Sequence, residues 1–146
     1  MDKIAQLYDL YLSSKRVSTD TRTIEKGDLF FALKGPSFDG NQYAEKALLS
    51  GSKAVVVDDP KVVVDERYFL VADVLVALQQ LANHHRKQLD IPVIGLTGSN
   101  GKTTTKELLV RALSGKYVVQ ATYGNLNNHI GVPLTLLSLK PGTSMA

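Results

Sequence analysis

The sequence predicts an α/β fold, with a small amino-terminal α/β unit over residues 1–89 and the start of a second unit over residues 90–146. Three observations predict it. Short apolar runs at residues 29–33, 54–57 and 68–71 alternate with stretches whose apolar residues recur at helical spacing. Asp90-Ile91-Pro92 interrupts that alternation after the longest helical stretch and marks a boundary. Beyond it come an apolar run, a glycine-containing loop and another helical stretch, in that order.

Each element has its own warrant. Ile4, Leu7, Tyr8 and Tyr11 share one face of a first helix that Ser13-Ser14 ends. The polar stretch Ser18-Thr19-Asp20-Thr21-Arg22 and a turn at Lys26-Gly27 lead into a buried strand over residues 29–33, and residues 35–40 read as a loop. Tyr43, Ala44, Ala47 and Leu48 give a helix stopped by Gly51, followed by strands at 54–57 and 68–71. Asp73 suits the N-cap of a longer helix with Val74, Leu78, Leu81, Ala82 and Leu89 inward. Residues 93–97 then read as a strand, 98–102 as a tight loop, and 103–113 as a helix closed by Gly115. A strand at 117–120, a polar loop at 123–128 and a short helix at 133–139, with Pro133 in its first turn, complete the reading.

Composition narrows the function classes. The 146 residues are 44% hydrophobic and 21% charged, a balance that favours folding over disorder. There is no Cys, so neither disulfides nor thiolate metal sites are available, and no apolar run approaches the roughly 18 residues that span a bilayer. The expectation is a cytoplasmic protein without a membrane partner. The net charge of +3 comes from scattered Lys and Arg, which gives nucleic-acid binding little support and suits anionic small molecules equally well.

The strongest chemical signal is Thr97-Gly98-Ser99-Asn100-Gly101-Lys102-Thr103-Thr104. Glycines let a backbone curl so that successive N–H groups face a polyphosphate, and the following helix turns its positive end to the same charge. Lys102 would reach the outer phosphates of ATP, and the Thr103 hydroxyl would be a ligand for Mg²⁺. The usual pattern has Gly five residues before Gly101, where this chain has Leu96, with the nearest upstream Gly at Gly95. Gly98, Gly101, Lys102 and Thr103 nonetheless stand in order between a predicted strand and a predicted helix.

This loop resembles the variant found in the Mur ligases, which lacks the earlier Gly in the same way. Other segments agree: Ser18-Thr19-Asp20-Thr21-Arg22, the stretch from Gly27 through Asp28, Leu29 and Phe30 to Gly35, and Phe38-Asp39-Gly40 look like the family's UDP-binding domain. The segment Gly124-Asn125-Leu126-Asn127-Asn128-His129-Ile130-Gly131-Val132-Pro133-Leu134-Thr135 is similar to the D-alanyl-D-alanine-adding members, whereas the third-residue-adding members carry a Thr-Thr-Pro signature there.

The resemblance implies an ATP-dependent ligase that phosphorylates the terminal carboxylate of UDP-N-acetylmuramoyl-tripeptide. The amine of D-alanyl-D-alanine then displaces phosphate from the acyl phosphate. It implies ATP on Gly98, Ser99, Asn100, Gly101, Lys102, Thr103 and Thr104, Mg²⁺ on Thr103, and a catalytic, charge-offsetting role for Lys102. Thr19, Thr21, Arg22, Pro36, Ser37 and Phe38 match positions that hold uridine and diphosphate in relatives, and Asn125 and Asn128 are expected near the substrate phosphates or the ATP γ-phosphate. Without the resemblance, Asp20-Thr21-Arg22 reads first as an ordinary turn with a surface ion pair, and the Asn-rich loop as a good turn former. The parent is expected to act as a monomer.

Other residues take plainer readings. Asp58 and Asp59 close an apolar run like the metal-binding strand of phosphate-loop proteins, but upstream of the loop, and read as turn residues. His84 and His85 are helix neighbours that point in different directions and read as surface or half-buried, and His129 as structural. After Glu107 there is no Asp or Glu, so a second Mg²⁺ carboxylate cannot come from downstream. Residues 91–146 supply about two strands and two helices, too few to close a nucleotide-hydrolysing sheet. The expectation is a truncated chain, inactive alone, whose missing metal-binding Glu and carboxy-terminal domain the resemblance places further on. Two rival readings stay open: a complete phosphate-loop NTPase using Asp58, and a nucleotide-sugar-binding module in which the phosphate loop is idle.

Overall fold

The computed structural model describes residues 2–124 and 126–146. Its amino-terminal part is a three-layer α/β arrangement around a parallel sheet. Strands β1 (Val17–Ser18), β2 (Leu29–Phe31), β5 (Ala54–Val57) and β6 (Tyr68–Leu70) lie in the order β1-β2-β5-β6, every neighbouring pair parallel. Strands β3 (Lys34–Gly35) and β4 (Phe38–Asp39) form a separate antiparallel hairpin.

The strand side chains explain the layers. Leu29, Phe31, Ala54 and Val56 pack with Leu7 of helix α1 (Lys3–Leu12) and with Leu78 and Leu81 of helix α3 (Val74–Gln88). Their alternates Phe30, Val55 and Val57 pack with Ala44 and Ala47 of helix α2 (Ala44–Leu49) on the opposite face. A sheet buried on both faces needs apolar residues at successive positions, which is why β2 and β5 read as continuous runs rather than alternating ones. One charge is enclosed near the start of β2. Asp28 has a fully buried side chain, and it accepts from Arg16 Nε at 3.1 Å and from the Glu25 amide at 2.8 Å.

Helix α3 also carries the second half of the chain. Helix α4 (Lys102–Leu113) follows the glycine loop, and helix α5 (Gly131–Leu137) packs against α3, sending Leu137 into the same core as Leu7. A polar relay crosses this junction. Tyr11 Oη donates to the Leu137 carbonyl at 2.9 Å and lies 3.4 Å from His85 Nε2, while Tyr8 Oη lies 3.2 Å from His85 Nδ1. With its proton spent on Leu137, the Tyr11 oxygen can only accept from His85. Nε2 therefore carries a proton, and in the neutral ring Nδ1 is left to accept from Tyr8. His85 is thus buried, not surface, whereas His84 stacks edge-on against Tyr8 at 4.6 Å. Burial, with His84 beside it, lowers the His85 pKa.

Several predicted elements take other forms. Residues 93–97 form no strand, because among the described residues the only backbone bonds around them run to Ala146: Ile94 N–H to its carbonyl, and its N–H to the Pro92 carbonyl. The predicted strand at 117–120 reduces to a single bridge between Val119 and Met145. A strand exists through its partner, and neither segment has one of useful length. Residues 35–40, expected as a loop, contribute most of the β3–β4 hairpin, which starts at Lys34, and α5 begins at Gly131 rather than Pro133.

Candidate functional site

Two clefts collect the chemistry. The first, of about 540 Å³, is lined by Thr19, Thr21, Arg22, Phe38, Tyr43 and Lys46, among others. The polar segment after β1 folds into a 3-10 turn (Thr21–Thr23) because Asp20 accepts from the Arg22 amide at 2.9 Å. The Arg22 guanidinium returns to the same carboxylate, with Nη2 2.6 Å from Oδ2. That side-chain bond, then the amide, holds the Asp20 carboxyl down to about 2. The ion pair expected of an ordinary turn is therefore present, and the same residues form one wall of the cleft.

Phe38 forms another wall. It stands on β4, half-exposed, with its ring over Gly35, where an added methyl group would meet the ring edge at 2.2 Å. Pro36 and Ser37 form the exposed tip of the hairpin and do not line the cleft. Tyr43 and Lys46 are wall residues that sequence reading missed. Their signal was a three-residue spacing across the start of α2, with Tyr43 just before the helix and Lys46 within it.

The second cleft, of about 360 Å³, brings Lys102 and Thr103 together with Lys106, Thr122, Gly124 and Asn127. Gly98 and Gly101 hold φ of +138° and +77°, values that only glycine adopts without strain, and they bracket the loop. No side chain caps α4, whose first backbone bond runs from Thr105 to the Gly101 carbonyl. The amides of Lys102, Thr103 and Thr104 thus have no protein acceptor among the described residues. Lys102 Nζ folds over the loop to the Gly98 carbonyl. Unpaired N–H groups, a helix amino end and an ammonium group make a donor set that fits a polyphosphate. For Mg²⁺ the fit is narrower. Thr103 offers one hydroxyl oxygen, and no group of three or more His, Cys, Asp or Glu among the described residues could hold a metal. Ser99, Asn100 and Thr104 are exposed on the loop and at the start of α4.

Lys106 went unnoticed in the sequence although it lies one turn beyond Lys102. Its Nζ donates to the Thr122 carbonyl at 2.7 Å and the Gly124 carbonyl at 3.2 Å, tying the Asn-rich segment to α4. Asn125 lies outside the described residues. Asn128 Oδ1 accepts from the amides of Ile130 and Gly131 at 3.1 and 2.7 Å, so its side chain shapes the entry to α5. Asp58 does not line the Lys102 cleft, and it is more than a turn residue: it binds Lys34, Asn41 and the Val74 amide. Asp59 does act as a turn residue, capping the 3-10 turn Pro60–Val62. A larger hollow of about 740 Å³ lies between Arg16, Val17 and residues 118–143 and contains no phosphate-loop residue. Among the described residues no helix is long and apolar enough to cross a membrane.

Comparison with known proteins adds to this geometry. Residues 14–93 match the model of the Mur ligase family, catalytic domain, and residues 96–146 match the Mur ligase middle domain. A UDP-N-acetylmuramoyl-tripeptide–D-alanyl-D-alanine ligase of Synechocystis sp. is 50% identical over 132 residues, covering 89% of this chain and 29% of its own. A crystal structure of MurF from Acinetobacter baumannii superposes with a TM-score of 0.84 at 38% identity, covering 98% of this chain and 34% of its own. That of MurF ligase from Thermotoga maritima in complex with ADP superposes at 0.83 with 36% identity, covering 92% and 31%. The chain spans about 29% of the length of that Synechocystis relative. With a glycine-bracketed loop ahead of α4, a cleft beside β4 that joins hydroxyls and two cations to aromatic walls, and family models matching both halves, the chain belongs to the Mur ligase family.

Proposed function

We propose that the chain supplies the nucleotide-sugar cleft and the ATP phosphate loop of a ligase that joins D-alanyl-D-alanine to UDP-N-acetylmuramoyl-tripeptide in peptidoglycan precursor synthesis, in the cytoplasm and as a monomer. The observation that carries the ATP half is the uncapped amino end of α4, where three amides and the Lys102 ammonium group converge without an acidic residue in the first turn. The substrates follow from the names of the relatives and from the segment 124–135, which is similar to the D-alanyl-D-alanine-adding members.

In this reading residues 1–89 hold the UDP moiety and residues 90–146 the nucleotide triphosphate. Thr19 and Thr21 offer hydroxyls to the uracil edge or ribose, Phe38 offers an apolar face, and Arg22 and Lys46 bring positive charge to the diphosphate. Arg22 exchanges its bond with Asp20 for phosphate oxygens. Pro36 and Ser37 approach the nucleotide sugar from the hairpin tip, and Asn125 and Asn128 belong near the substrate phosphates or the ATP γ-phosphate.

ATP supplies the phosphoryl group that converts the tripeptide's terminal carboxylate into an acyl phosphate, releasing ADP. The free amine of D-alanyl-D-alanine then attacks the acyl carbon, and the C–O bond to phosphate breaks as the C–N bond forms. Lys102 and the loop amides from Gly98 to Thr104 offset charge on the transferred group, the way preorganised donors generally lower such barriers. Mg²⁺ would be held by the Thr103 hydroxyl together with phosphate oxygens of the nucleotide.

Calorimetry on the 146-residue chain tests the reading in two arms. UDP-N-acetylmuramoyl-tripeptide should bind and weaken at least tenfold in Arg22→Ala and Lys46→Ala, while ATP should bind more weakly and lose all affinity in Lys102→Ala. Binding of ATP with no binding of the nucleotide sugar would sink the assignment to a nucleotide-sugar ligase.

A further inference from the structure

We propose that Asp58 is a positioning residue for the nucleotide-sugar cleft, acting through Lys34 and Asn41 to fix the β3–β4 hairpin that carries Phe38. The inference rests on the reading of that cleft as the UDP site.

Asp58 follows the last residue of β5, and its side chain is about 10% exposed. A carboxylate this enclosed is costly unless it is paired and hydrogen-bonded. All of its partners are in place. Oδ1 accepts from Lys34 Nζ at 2.7 Å and from Asn41 Nδ2 at 2.8 Å, and Oδ2 lies 3.3 Å from the Val74 amide. The start of α3 does not need this charge, because Asp73 already caps it by accepting from the Val76 amide at 2.8 Å. The two shortest bonds of Asp58 instead run to residues flanking the hairpin: Lys34 opens β3, and Asn41 follows β4.

Asn41 extends the tether in both directions. It is 2% exposed, its Nδ2 also donates to Asp39 Oδ1 at 2.8 Å, and its Oδ1 accepts from the Asp58 amide at 3.1 Å. Every polar atom of its side chain is thereby committed to joining the end of β4 to the end of β5.

The hairpin needs such a tether. It contains two residue pairs, Lys34 with Asp39 and Gly35 with Phe38, and a two-stranded ribbon that short is marginal by itself. Phe38 lies over Gly35, so its ring goes where the hairpin goes. Holding Lys34 and Asp39 against β5 therefore sets the cleft wall without Asp58 touching the ligand. Burial opposes ionisation of Asp58, yet the bonds from Lys34, Asn41 and Val74 together bring its pKa below the ordinary carboxylate value.

The test pairs amide hydrogen exchange with calorimetry, using UDP as probe on the 146-residue chain. Asp58→Asn should speed exchange across residues 34–40 while leaving Phe30 and Val56 protected, and should weaken UDP about tenfold. Lys34→Met, at a half-exposed position that tolerates change, should reproduce both effects, and Lys34→Arg should restore them. Combining Asp58→Asn with Lys34→Met should cost no more than either alone. If Phe38→Ala weakens UDP but Asp58→Asn and Lys34→Met do not, the positioning role is overturned while the cleft stands. If exchange rises equally in β2 and β5, Asp58 is only structural and the inference fails. If the wild-type chain binds no UDP at all, the cleft assignment fails first and takes this role with it.

Discussion

The Gly40 amide donates to the Leu33 carbonyl at 3.0 Å, and the two backbones run so close that a methyl group on Gly40 would stand 2.4 Å from that same oxygen. The obstacle is backbone, which cannot swing aside as a side-chain end can. Gly40→Ala should therefore cost about 1–3 kcal/mol of stability, as overpacking generally does. It should also reduce UDP affinity, since Gly40 lines the cleft. Urea denaturation and calorimetry on the same sample check both.

Arg16 and Asp28 predict an asymmetry. Asp28 is fully buried while Arg16 is 43% exposed. Arg16→Ala strands a buried carboxylate, so it should destabilise by about 3 kcal/mol or more. Asp28→Asn leaves the guanidinium free to reach water and should cost less, about 1 kcal/mol. Equal urea midpoints for the two variants would contradict the burial of Asp28.

His85 predicts a pH dependence. Its pKa in the fold lies below the ordinary value of 6.5, so below about pH 6.5 the unfolded chain binds a proton that the folded chain resists. Stability contributed by the neutral ring is whole above that pH and falls as acid is added. The groups facing it are Tyr8 and Tyr11 of α1 and His84 on its own helix, with Tyr11 in turn bonded to the Leu137 carbonyl of α5. Burial, with Tyr8 nearby, pushes the Tyr11 hydroxyl up to about 12, so the tyrosines stay neutral across this range. His85→Gln should flatten the decline in urea midpoint between pH 7.5 and pH 5.

Tyr11→Phe removes the one side-chain donor that reaches the Leu137 carbonyl among the described residues and should cost about 1–3 kcal/mol, the usual consequence of leaving a buried acceptor unpaired. The loss should loosen α5 specifically. Hydrogen exchange should therefore rise first in residues 131–137, ahead of the strand amides.

At the phosphate loop, Lys102→Met should abolish measurable binding of a fluorescent ATP analogue, whereas Thr103→Ala should retain binding but lose its dependence on added Mg²⁺. Titration with and without the cation separates the two. An unchanged Mg²⁺ response in Thr103→Ala would remove that hydroxyl from the cation site.

Most of the amino-terminal fold was legible because its signals are local. The strand at Ala54–Val57 and the Asp73 cap of α3 stand where the sequence placed them. The β3–β4 hairpin was not legible, since two-residue strands leave no periodicity, and Gly35-Pro36 reads as punctuation. Residues 93–97 show the reverse failure, with strand composition but almost no pairing. At the site, Lys102 and Thr103 could be named because a motif fixes their order, and Thr19, Thr21, Arg22 and Phe38 because a family pattern does. Tyr43, Lys46, Lys106 and the enclosed role of Asp58 depend on which elements meet in space, which spacing along the chain does not encode.

The unpaired apolar run at 93–97 carries a practical consequence. Val93, Ile94 and Leu96 are exposed side chains on a segment where, among the described residues, only the Ile94 amide makes a backbone hydrogen bond, and Val118 is exposed as well. Unclaimed ribbon of this kind invites a second molecule to add on sideways. Sedimentation at rising concentration should therefore reveal reversible clustering, and replacing Ile94 with Lys should suppress it by burdening the open border with charge.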